Sequence, residues 1–471
     1  MDYHGASYQL KLVLSAEFAM PLSVDRRKFL KAASTTAATF TILQAGSART
    51  YAANEKLNIA CIGAGGRGAI NIRDTRSENV VALCDVDFER VTETFKKHDG
   101  LKVPDAKRFK DYRVMLSEME SKIDAVIVST PDHSHFHASM AALRYGKHVY
   151  CEKPLTHSIW EARELTKAAR EAGVATQMGN QAQADKDTQL VQEFVMDNAI
   201  GPIREAHIWT DRPSRGLFGE YWPQGVARRT ETPAVPDTLD WDLWIGPAPM
   251  RPYHPDYAPF KWRGRWDFGT GALGDMGCHY FDPVYRALKL KAPTSVEAVS
   301  TRVNEDSYPL GSTVTFHFAA RGEMPPVKVQ WYDGGLRPPR PSVLKAGDML
   351  GANGVMLVGD DGVLLTDWDD PWRMFPDERA KEYGTPPKVL PRSAGHHEEW
   401  IQACKGGQKA GSNFDWAGPL TEGVLLGNIA LRSQLRDDLT RQKLDWDSEK
   451  MVFTNHKSAN QFLRREYRTG W

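Results

Sequence analysis

The sequence predicts an α/β protein in which a doubly wound domain precedes a second, different α/β domain. Three observations lead to this fold class. A glycine-rich turn follows an apolar run of strand length near residue 60. Apolar runs then alternate with helix-like segments as far as residue 181, which is typical of a parallel sheet flanked by helices. Beyond that point strand-like runs follow one another with few helices between them, so a second kind of sheet is expected.

Length and composition indicate a soluble-type enzyme rather than a nucleic-acid-binding protein. The 471 residues are enough for two or three domains, and 41% are apolar and 25% charged. Lys+Arg and Asp+Glu both number 60, so the formal net charge is zero. Because nucleic-acid-binding domains usually carry a basic excess, we expect no nucleic-acid partner. The five cysteines are scattered, without metal-binding or disulfide spacing, so we expect free thiols and no metal site.

Residues 1–53 are predicted to lie outside the fold. The stretch VDRRKFLKAAS at 24–34 pairs Arg26 with Arg27 ahead of a mildly apolar run rich in alanine and threonine, and small residues suited to cleavage follow. This order resembles a twin-arginine export signal, and it predicts a periplasmic or secreted protein that uses the twin-arginine export machinery. The alternative is a basic amphipathic helix on the mature protein. Met20 is an alternative start.

The next segment predicts a turn that binds the phosphates of a dinucleotide. An apolar strand-like run ends at residue 62, and a helix-like segment follows the glycines, which is the context that supports a G-x-G-x-x-G motif. Its first glycine permits the turn, its second lets the backbone approach a pyrophosphate, and its third lets the helix pack on the strand. The helix N-terminus adds unpaired N–H groups. The predicted cofactor-binding residues here are Gly63, Gly65, Gly66, Arg67 and Gly68.

An acidic residue follows at the position where a dinucleotide ribose is usually bound. The apolar run at 79–87 includes Asp85, about twenty residues after the glycines. An acid there accepts hydrogen bonds from the adenosine ribose hydroxyls and repels a 2′-phosphate, so NAD is expected rather than NADP. Asp87 is a second candidate for the same contact. The alternative role of Asp85 is a helix N-cap.

Two further motifs, taken with the glycine turn, point to one protein family. Strand-like and helix-like segments continue in alternation and predict a Rossmann dinucleotide-binding domain over 54–180, with STPDHSHFHA at 129–138 and CEKPLT at 151–156. Together with the glycine turn and Asp85, these motifs resemble the Gfo/Idh/MocA family, which is named for glucose-fructose oxidoreductase and inositol dehydrogenase. The resemblance covers roughly residues 55–450.

The resemblance assigns expected roles within these motifs. It implies that Lys153 lies beside the nicotinamide, in a Glu-Lys-Pro motif whose proline bond is usually cis. It implies that Glu152 lies near the cofactor ribose. Thr130, Pro131 and His135 match the family's T-P-x-x-x-H loop over the cofactor. All five are therefore predicted cofactor-binding residues.

A second motif of the resemblance lies further along the chain. The pattern D-x-G-x-H-x-x-D is complete at Asp275, Gly277, His279 and Asp282, in a segment that reads as a helix from residue 273. Asp275 and His279 are four residues apart and share a helix face. The resemblance implies that they face the substrate beside Lys153, which makes these three the predicted catalytic residues. Either Lys153 or His279 takes the proton, and Asp275 orients them. Taken alone, the segment also fits a surface helix with an Asp–His pair.

The remaining residues predict the second domain over 181–450 and a C-terminal tail over 451–471. Strand-like runs between 295 and 367 are consistent with the open, largely antiparallel sheet that the resemblance implies. Such sheets pair in the family, which implies a homo-oligomer, either a dimer or a tetramer. Tryptophans in the loops before Asp275 suit the C–H faces of a sugar, although most buried tryptophans belong to cores or interfaces. Arg263 and Arg265 are candidates either for an acidic substrate or for structural ion pairs.

The motifs and the resemblance together predict an oxidoreductase that moves a hydride between a secondary alcohol of a sugar or cyclitol and NAD. Export adds a constraint, since a periplasm has no obvious pool of free NAD, so a tightly bound cofactor regenerated in place is expected. The alternative is a redox-neutral glycosidase, lyase or epimerase that acts through a transient keto-sugar. A third alternative is a binding subunit without catalytic activity.

Overall fold

The structure, a computed structural model, describes residues 55–98, 100–215, 219–367, 370–432 and 442–471. The predicted export signal lies outside these ranges. The described residues belong to one compact unit, Ala52–Trp471. Across the described ranges, no helix has the length and apolarity needed to cross a membrane.

Short apolar segments of the first domain form a six-stranded parallel sheet. They are β1 (Asn58–Ile62), β2 (Asn79–Cys84), β3 (Lys107–Phe109), β4 (Ala125–Val128), β5 (His148–Cys151) and β6 (Thr176–Met178). Nearly every side chain of β1, β4 and β5 is buried, as expected for strands covered on both faces. The strand order β3-β2-β1-β4-β5-β6 changes direction between β1 and β4. In such sheets ligands bind at the carboxyl ends of the strands beside this switch point.

Helices connect these strands. They are α1 (Arg67–Asp74), α2 (Phe88–Lys97), α3 (Tyr112–Glu118), α4 (His135–Arg144) and α5 (Ile159–Ala172). The local sequence explains both ends of α5. The Ser158 side chain accepts from the backbone N–H of Glu161, whose carboxylate accepts in return from the Ser158 N–H. Gly173, with φ 64°, ends the helix in the left-handed conformation that favours glycine.

The second domain contains an open nine-stranded sheet. In chain order its strands are β7 (Ile203–Trp209), β10 (Ser295–Ser300), β11 (Ser312–Phe318), β12 (Val327–Tyr332), β13 (Gly354–Gly359), β14 (Val363–Asp367), β15 (Arg373–Phe375), β16 (Lys443–Asp447) and β17 (Val452–Phe453). A separate hairpin joins β8 (Ser214–Arg215) to β9 (Gly219–Glu220). The β7–β12 ladder is parallel, and the other ladders of the large sheet are antiparallel. The predicted fold class, a Rossmann domain followed by an α/β domain with an open, largely antiparallel sheet, is therefore confirmed.

The second domain also contains helices, and one of them, which carries Asp275 and His279, packs between the two sheets. The helices are α6 (Lys186–Met196), α7 (Trp241–Ile245), α8 (Gly271–Ala287), α9 (Asp377–Tyr383), α10 (His396–Cys404) and α11 (Phe414–Leu431). The helix expected from residue 273 thus begins two residues earlier. It packs on α11, because a Cβ at Gly427 would lie 2.5 Å from Leu273, and on the second sheet through Phe281 and Phe316. One hydrophobic core includes residues of both domains, so α8 is held firmly beside the first sheet.

Residues 451–471, which the sequence analysis set apart as a C-terminal tail, are an integral part of this unit. They contribute β17 to the second sheet and then cross onto the first domain. There Arg465 Nε and Tyr467 Oη lie 3.0 and 2.8 Å from Oε1 of Glu161, in the first turn of α5. The chain then continues to Trp471, whose ring centroid lies 6.5 Å from that of Tyr112.

Candidate active site

A long cleft of about 870 Å³ runs along the carboxyl ends of the strands in the first sheet. One end is lined by Asp85, and the other by Lys153, Asp275 and His279. Residues predicted from motifs far apart in the chain therefore line a single cavity. This is where the strand order reverses, as expected for a ligand site in a doubly wound sheet.

The glycine turn fits closely between strand and helix. Gly63 has φ 80°, and a Cβ there would lie 2.7 Å from the backbone of Ser129. A Cβ at Gly68 would lie 1.9 Å from the carbonyl oxygen of Gly63, so this glycine permits α1 to pack on β1. Gly66, with φ 52°, faces open space. The turn thus presents bare backbone to the cleft, which is the cradle that a pyrophosphate needs. Of the predicted residues in the turn, only Gly68 lies behind the cleft wall.

Asp85 and Asp87, left as alternatives by the sequence, have different roles in the structure. Asp85 Oδ2 accepts from the N–H of Gly65 and Oδ1 from the N–H of Asp87, both at 3.0 Å. Burial raises the pKa of Asp85, and these two donors oppose the shift. Asp87 instead caps α2, since its side chain accepts from the N–H of Arg90 at 3.2 Å. The N-cap is therefore Asp87, and Asp85 is the acid that joins the glycine turn to the end of β2.

Glu152 is held by a polar network at the end of β5. Its Oε1 accepts from Arg67 Nε at 3.1 Å, Asn71 Nδ2 at 2.9 Å and Gln181 Nε2 at 3.2 Å. Burial alone would raise the pKa of Glu152, but the Arg67 charge and the Asn71 hydrogen bond outweigh it and lower the pKa. A Cβ at Gly179 would lie 2.6 Å from the Glu152 carboxyl group, so glycine is required there. Glu152 is thus an ionised, fixed carboxylate in the cleft wall.

The loop after β4 separates into cleft-facing and supporting residues. Thr130 and Pro131 line the cleft. His135, expected over the cofactor, is 1% exposed and is not among the residues that line the cleft. Its ring nitrogens lie 2.8 Å from the Thr130 carbonyl oxygen and 2.7 Å from the Pro154 carbonyl oxygen. His135 therefore ties the loop to Pro154, whose peptide bond with Lys153 is cis, as the resemblance implies.

The same loop is joined to the second domain. Thr270 Oγ1 donates to Asp132 Oδ2 at 2.6 Å, directly before α8. The ring nitrogens of His133 lie 3.2 and 3.1 Å from the carbonyl oxygens of Phe268 and Trp244. These contacts hold the loop of the first domain against the start of α8. His133 is a buried structural residue here.

Lys153 and Asp275 are in direct contact. Lys153 Nζ donates to Oδ1 and to the backbone oxygen of Asp275, each at 2.7 Å, and Arg263 Nε lies 3.1 Å from the same Oδ1. Burial would raise the pKa of Asp275, but the charges of Lys153 and Arg263 outweigh it and hold the pKa well below its usual range. Asp275 is therefore ionised between two cations.

His279 follows on the same face of α8 and also lines the cleft. Burial lowers its pKa to about 3, and the charge of Lys153 adds to the effect. Its imidazole is therefore neutral at neutral pH, and a neutral imidazole can accept a proton. The structure brings Lys153, Asp275 and His279 together as the sequence predicts.

Asp282, the last residue of the same motif, stabilises the fold and does not reach the cleft. It is fully buried and outside the cleft, with Arg286 Nε at 2.8 Å and Trp416 Nε1 at 2.6 Å. Within one turn of α8, His279 therefore lines the cleft while Asp282 forms an ion pair in the core between α8 and α11.

The tryptophans and arginines of the loop region divide in the same way. Trp222, Trp244 and Trp262 line the cleft, and the last two also belong to a small hydrophobic cluster. Trp209 and Trp266 lie in the larger hydrophobic cores, away from the cleft. Arg265 is fully buried beside Asp306 and is a structural residue. Arg263 belongs to the cleft, where its guanidinium lies 4.3 Å from the ring centroids of both Phe260 and Trp262.

Several residues that line or support the cleft carried no signal in the sequence. Asn71 and Gln181, which hold Glu152, come from two elements with no motif between them. Tyr112 and Trp471 line the end of the cleft beyond Asp85, and residues 236–243 reach the same end from the second domain. An isolated polar or aromatic residue has no spacing from which its position could have been inferred.

The site defines a class of protein, and comparison with known proteins shows which family its two domains resemble. The glycine cradle, the acid at the end of β2 and the cleft between them define an NAD-binding Rossmann domain. Residues 57–180 match the model described as the oxidoreductase family with an NAD-binding Rossmann fold, and residues 218–323 match the model of that family's C-terminal α/β domain. Over these two segments the chain is similar to the Gfo/Idh/MocA oxidoreductase family.

Individual relatives are more distant. Over 185 residues the chain is 23% identical to scyllo-inositol 2-dehydrogenase (NADP(+)) IolW of Bacillus subtilis (strain 168), covering 39% of this chain and 40% of the relative. Over 151 residues it is 30% identical to D-glucoside 3-dehydrogenase of Escherichia coli (strain K12), covering 31% of this chain and 41% of the relative. The chain thus spans about two fifths of the length of these curated relatives.

The fold as a whole is similar to solved structures. An inositol dehydrogenase homolog from Azotobacter vinelandii, complexed with NADH and myo-inositol, superposes with a TM-score of 0.52 at 15% identity. The match covers 83% of this chain and 98% of that one. At this identity the similarity supports the fold.

Proposed function

We propose that the protein is an NAD-dependent oxidoreductase that moves a hydride between NAD and a secondary alcohol of a sugar or cyclitol. The observation that carries this proposal is the contact of Lys153 with Asp275 at 2.7 Å, beside a neutral His279. It lies at one end of a cleft whose other end has the glycine cradle and Asp85. The geometry can therefore bring an alcohol to the end of the cleft remote from Asp85.

Bound NAD would supply the hydride acceptor, and the chain supplies the rest. Gly63–Gly66 would hold the pyrophosphate, and Asp85 the adenosine ribose. We assign the hydroxyl proton of the alcohol to His279, whose neutral imidazole lines the cleft on the same helix face as Asp275. Lys153 donates a hydrogen bond to the same oxygen and stabilises the negative charge that develops on it. Asp275 holds Lys153 in position and balances its charge.

The substrate class follows from the walls of the cleft and from the relatives. Trp222 and Trp262 line the cleft beside Arg263, which shares the Asp275 carboxylate with Lys153. Aromatic side chains suit the C–H faces of a carbohydrate ring. Arg263 offers guanidinium N–H donors for hydroxyl groups. The names of the two relatives concern an inositol and a glucoside. A sugar or cyclitol fits this combination of apolar faces and polar donors.

The nucleotide preference, location and assembly belong to the same proposal. A carboxylate at Asp85 would repel a 2′-phosphate, which favours NAD over NADP, although one relative is named for NADP(+). The motif at 24–34 supports twin-arginine export and a periplasmic or secreted location. A cofactor held tightly through turnover would suit such a compartment. We also expect a homo-oligomer, either a dimer or a tetramer.

A redox-neutral reaction is the second candidate. Lys153 and His279 are two proton-handling groups in one cleft. Once an alcohol is oxidised to a ketone, the neighbouring C–H becomes acidic, and the second group can remove that proton. Elimination or epimerisation followed by return of the hydride would then leave NAD unchanged. This is the chemistry of a glycosidase, lyase or epimerase that acts through a keto-sugar.

The test begins with the purified protein. It is denatured, and any released nucleotide is identified by absorbance and mass. We expect NAD or NADH near one equivalent. Inositols and glucosides are then supplied with and without added NAD, and products are identified. Net oxidation that requires an acceptor supports the first candidate, and product formation without net redox change supports the second. A protein that neither contains nor binds NAD would overturn both.

A further inference from the structure

The end of the cleft beyond Asp85 is built partly from outside the Rossmann domain. Asp111 and Tyr112, just after β3, form the wall that the Rossmann domain itself supplies. The cleft is also lined by a segment of the second domain, residues 236–243, and by Trp471, which lies beside Tyr112. We call this segment and Trp471 together the adenosine cap. Both parts are distant in sequence from the domain that they cover.

The segment 236–243 is attached to the strand end that carries Asp85. The N–H of Asp240 donates to the carbonyl oxygen of Val86 at 3.0 Å. Leu239 and Val86 also pack against the same small hydrophobic cluster around Trp244 and Phe268. The side chain of Asp240 caps α7 by accepting from the Leu243 N–H at 3.1 Å. The segment therefore has a defined conformation where it meets the ribose-binding edge.

Trp471 is held by separate contacts. Arg468 Nε donates to the carbonyl oxygen of Gly246 at 3.1 Å, and the Arg468 N–H donates to that of Pro247 at 3.1 Å. The indole lies over the Arg113 guanidinium, 4.3 Å from its central carbon, and 6.5 Å from the Tyr112 ring. The ring thus lines the cleft beside an aromatic residue of the Rossmann domain.

We propose that the adenosine cap binds the adenine ring and keeps NAD in the protein from one turnover to the next. This inference rests on the NAD-dependent function proposed above. Adenine is a flat aromatic ring, and this end of the cleft offers it Trp471 and Tyr112 with apolar Leu239 and Leu243. Stacking on an aromatic side chain stabilises a bound base. A cofactor covered by two segments leaves only when they move, so its release is slow.

The experiment measures the release of NADH from the intact protein. Protein loaded with NADH is mixed with excess NAD, and the loss of bound NADH fluorescence gives the dissociation rate. We expect Trp471→Ala to accelerate release by about tenfold to a hundredfold, because one stacking contact is lost. Trp471→Phe should restore most of the slow release. Release from Trp471→Ala at the wild-type rate would overturn the proposal.

A matched control distinguishes loss of the Trp471 ring from a general loosening of the C-terminal segment. Trp160 contacts the same segment, with the Arg464 guanidinium 4.1 Å from its ring centroid, but it lies outside the cleft. Trp160→Ala should leave NADH release unchanged. If both alanine variants accelerate release equally, the effect is one of packing and the proposal fails.

Competition with half-cofactors gives a second readout. 5′-AMP and nicotinamide mononucleotide are each titrated against NADH binding. In Trp471→Ala the potency of 5′-AMP should fall, while that of nicotinamide mononucleotide stays constant. An equal loss for both would contradict adenine binding by the cap. A wild-type protein that binds NADH but releases it rapidly overturns this inference alone, whereas one that binds no NADH overturns the proposed function as well.

Discussion

Lys153 donates from Nζ to both the carboxylate and the backbone oxygen of Asp275, at 2.7 Å each. The contact joins the end of the first sheet to α8, across 122 residues of sequence. Arg263 shares the same carboxylate oxygen at 3.1 Å. Because Asp275 is ionised and accepts from both side chains, it fixes the position of the lysine amine. The arrangement aims a hydrogen-bond donor at the place where the substrate oxygen is expected.

Replacing the lysine tests that role. We expect Lys153→Ala to lower turnover by on the order of 10²- to 10⁴-fold, because the charge that develops on the substrate oxygen loses its donor. The NAD content should change little, since the phosphate cradle and Asp85 remain. Steady-state turnover and nucleotide content are measured on the same preparation. Lys167→Ala is the control, because that amine is exposed on α5 and has only a 4.0 Å contact with Glu171. Near-normal turnover in Lys153→Ala would exclude the catalytic role.

Replacing Asp85 tests the ribose contact. We expect Asp85→Ala to weaken NAD binding by about tenfold to a hundredfold, since hydrogen bonds from the ribose hydroxyls to a charged group are lost. Discrimination against NADP should fall at the same time, because the repulsion of its phosphate disappears. Dissociation constants for both nucleotides are measured by titration.

Asp87 provides the matched control for this change. Its carboxylate caps α2, so Asp87→Ala should lower the free energy of unfolding by about 1 kcal/mol and leave the ratio of NAD to NADP affinity unchanged. A shift in that ratio for Asp87→Ala, with none for Asp85→Ala, would reverse the assignment of the two acids.

The fold and the motif residues were accessible from the sequence because each signal is local. Strand-like runs, the glycine turn and the four-residue spacing of Asp275 and His279 all lie within short segments, whose geometry is set by backbone periodicity. The sequence could not distinguish Asp85 from Asp87, because both follow the same strand within three positions. The difference depends on which side chain meets the first free N–H groups of α2, and the tertiary structure decides this.

Contacts between distant elements were not predictable in the same way. His135 matches its motif, but a motif match does not show whether a ring faces a cleft or a backbone carbonyl. Asn71 and Gln181 converge on Glu152 from separate elements. Trp471 reaches the cleft only because the last segment crosses α5. Such placements arise from the packing of distant elements, which leaves no local pattern in a single sequence.

The low pKa of His279 predicts an unusual pH profile. An ordinary histidine gains a proton as the pH falls through about 6.5, and it can then no longer act as a base. Burial and the charge of Lys153 lower the pKa of His279 to about 3, so the ring stays neutral well below pH 6. We therefore expect kcat/KM to remain level from pH 8 down to pH 5. The profile is measured at constant ionic strength, with His279→Gln as the inactive reference. An acid limb with a midpoint between pH 6 and 7 would contradict a neutral, buried base.

Asp282 and Asp275 should respond in opposite ways although one motif contains both. Asp282 is fully buried and pairs with Arg286 and Trp416, so Asp282→Ala leaves a buried cation without its partner. We expect its free energy of unfolding to fall by about 3–5 kcal/mol, while the protein that remains folded keeps its NAD affinity. Asp275→Asn should instead lower turnover at least a hundredfold with a smaller loss of stability, because Lys153 is no longer held by a charge. Denaturant unfolding and turnover are measured for both variants. Loss of turnover without loss of stability in Asp282→Ala would show that the motif acts as one catalytic unit, and would contradict its division between cleft and core.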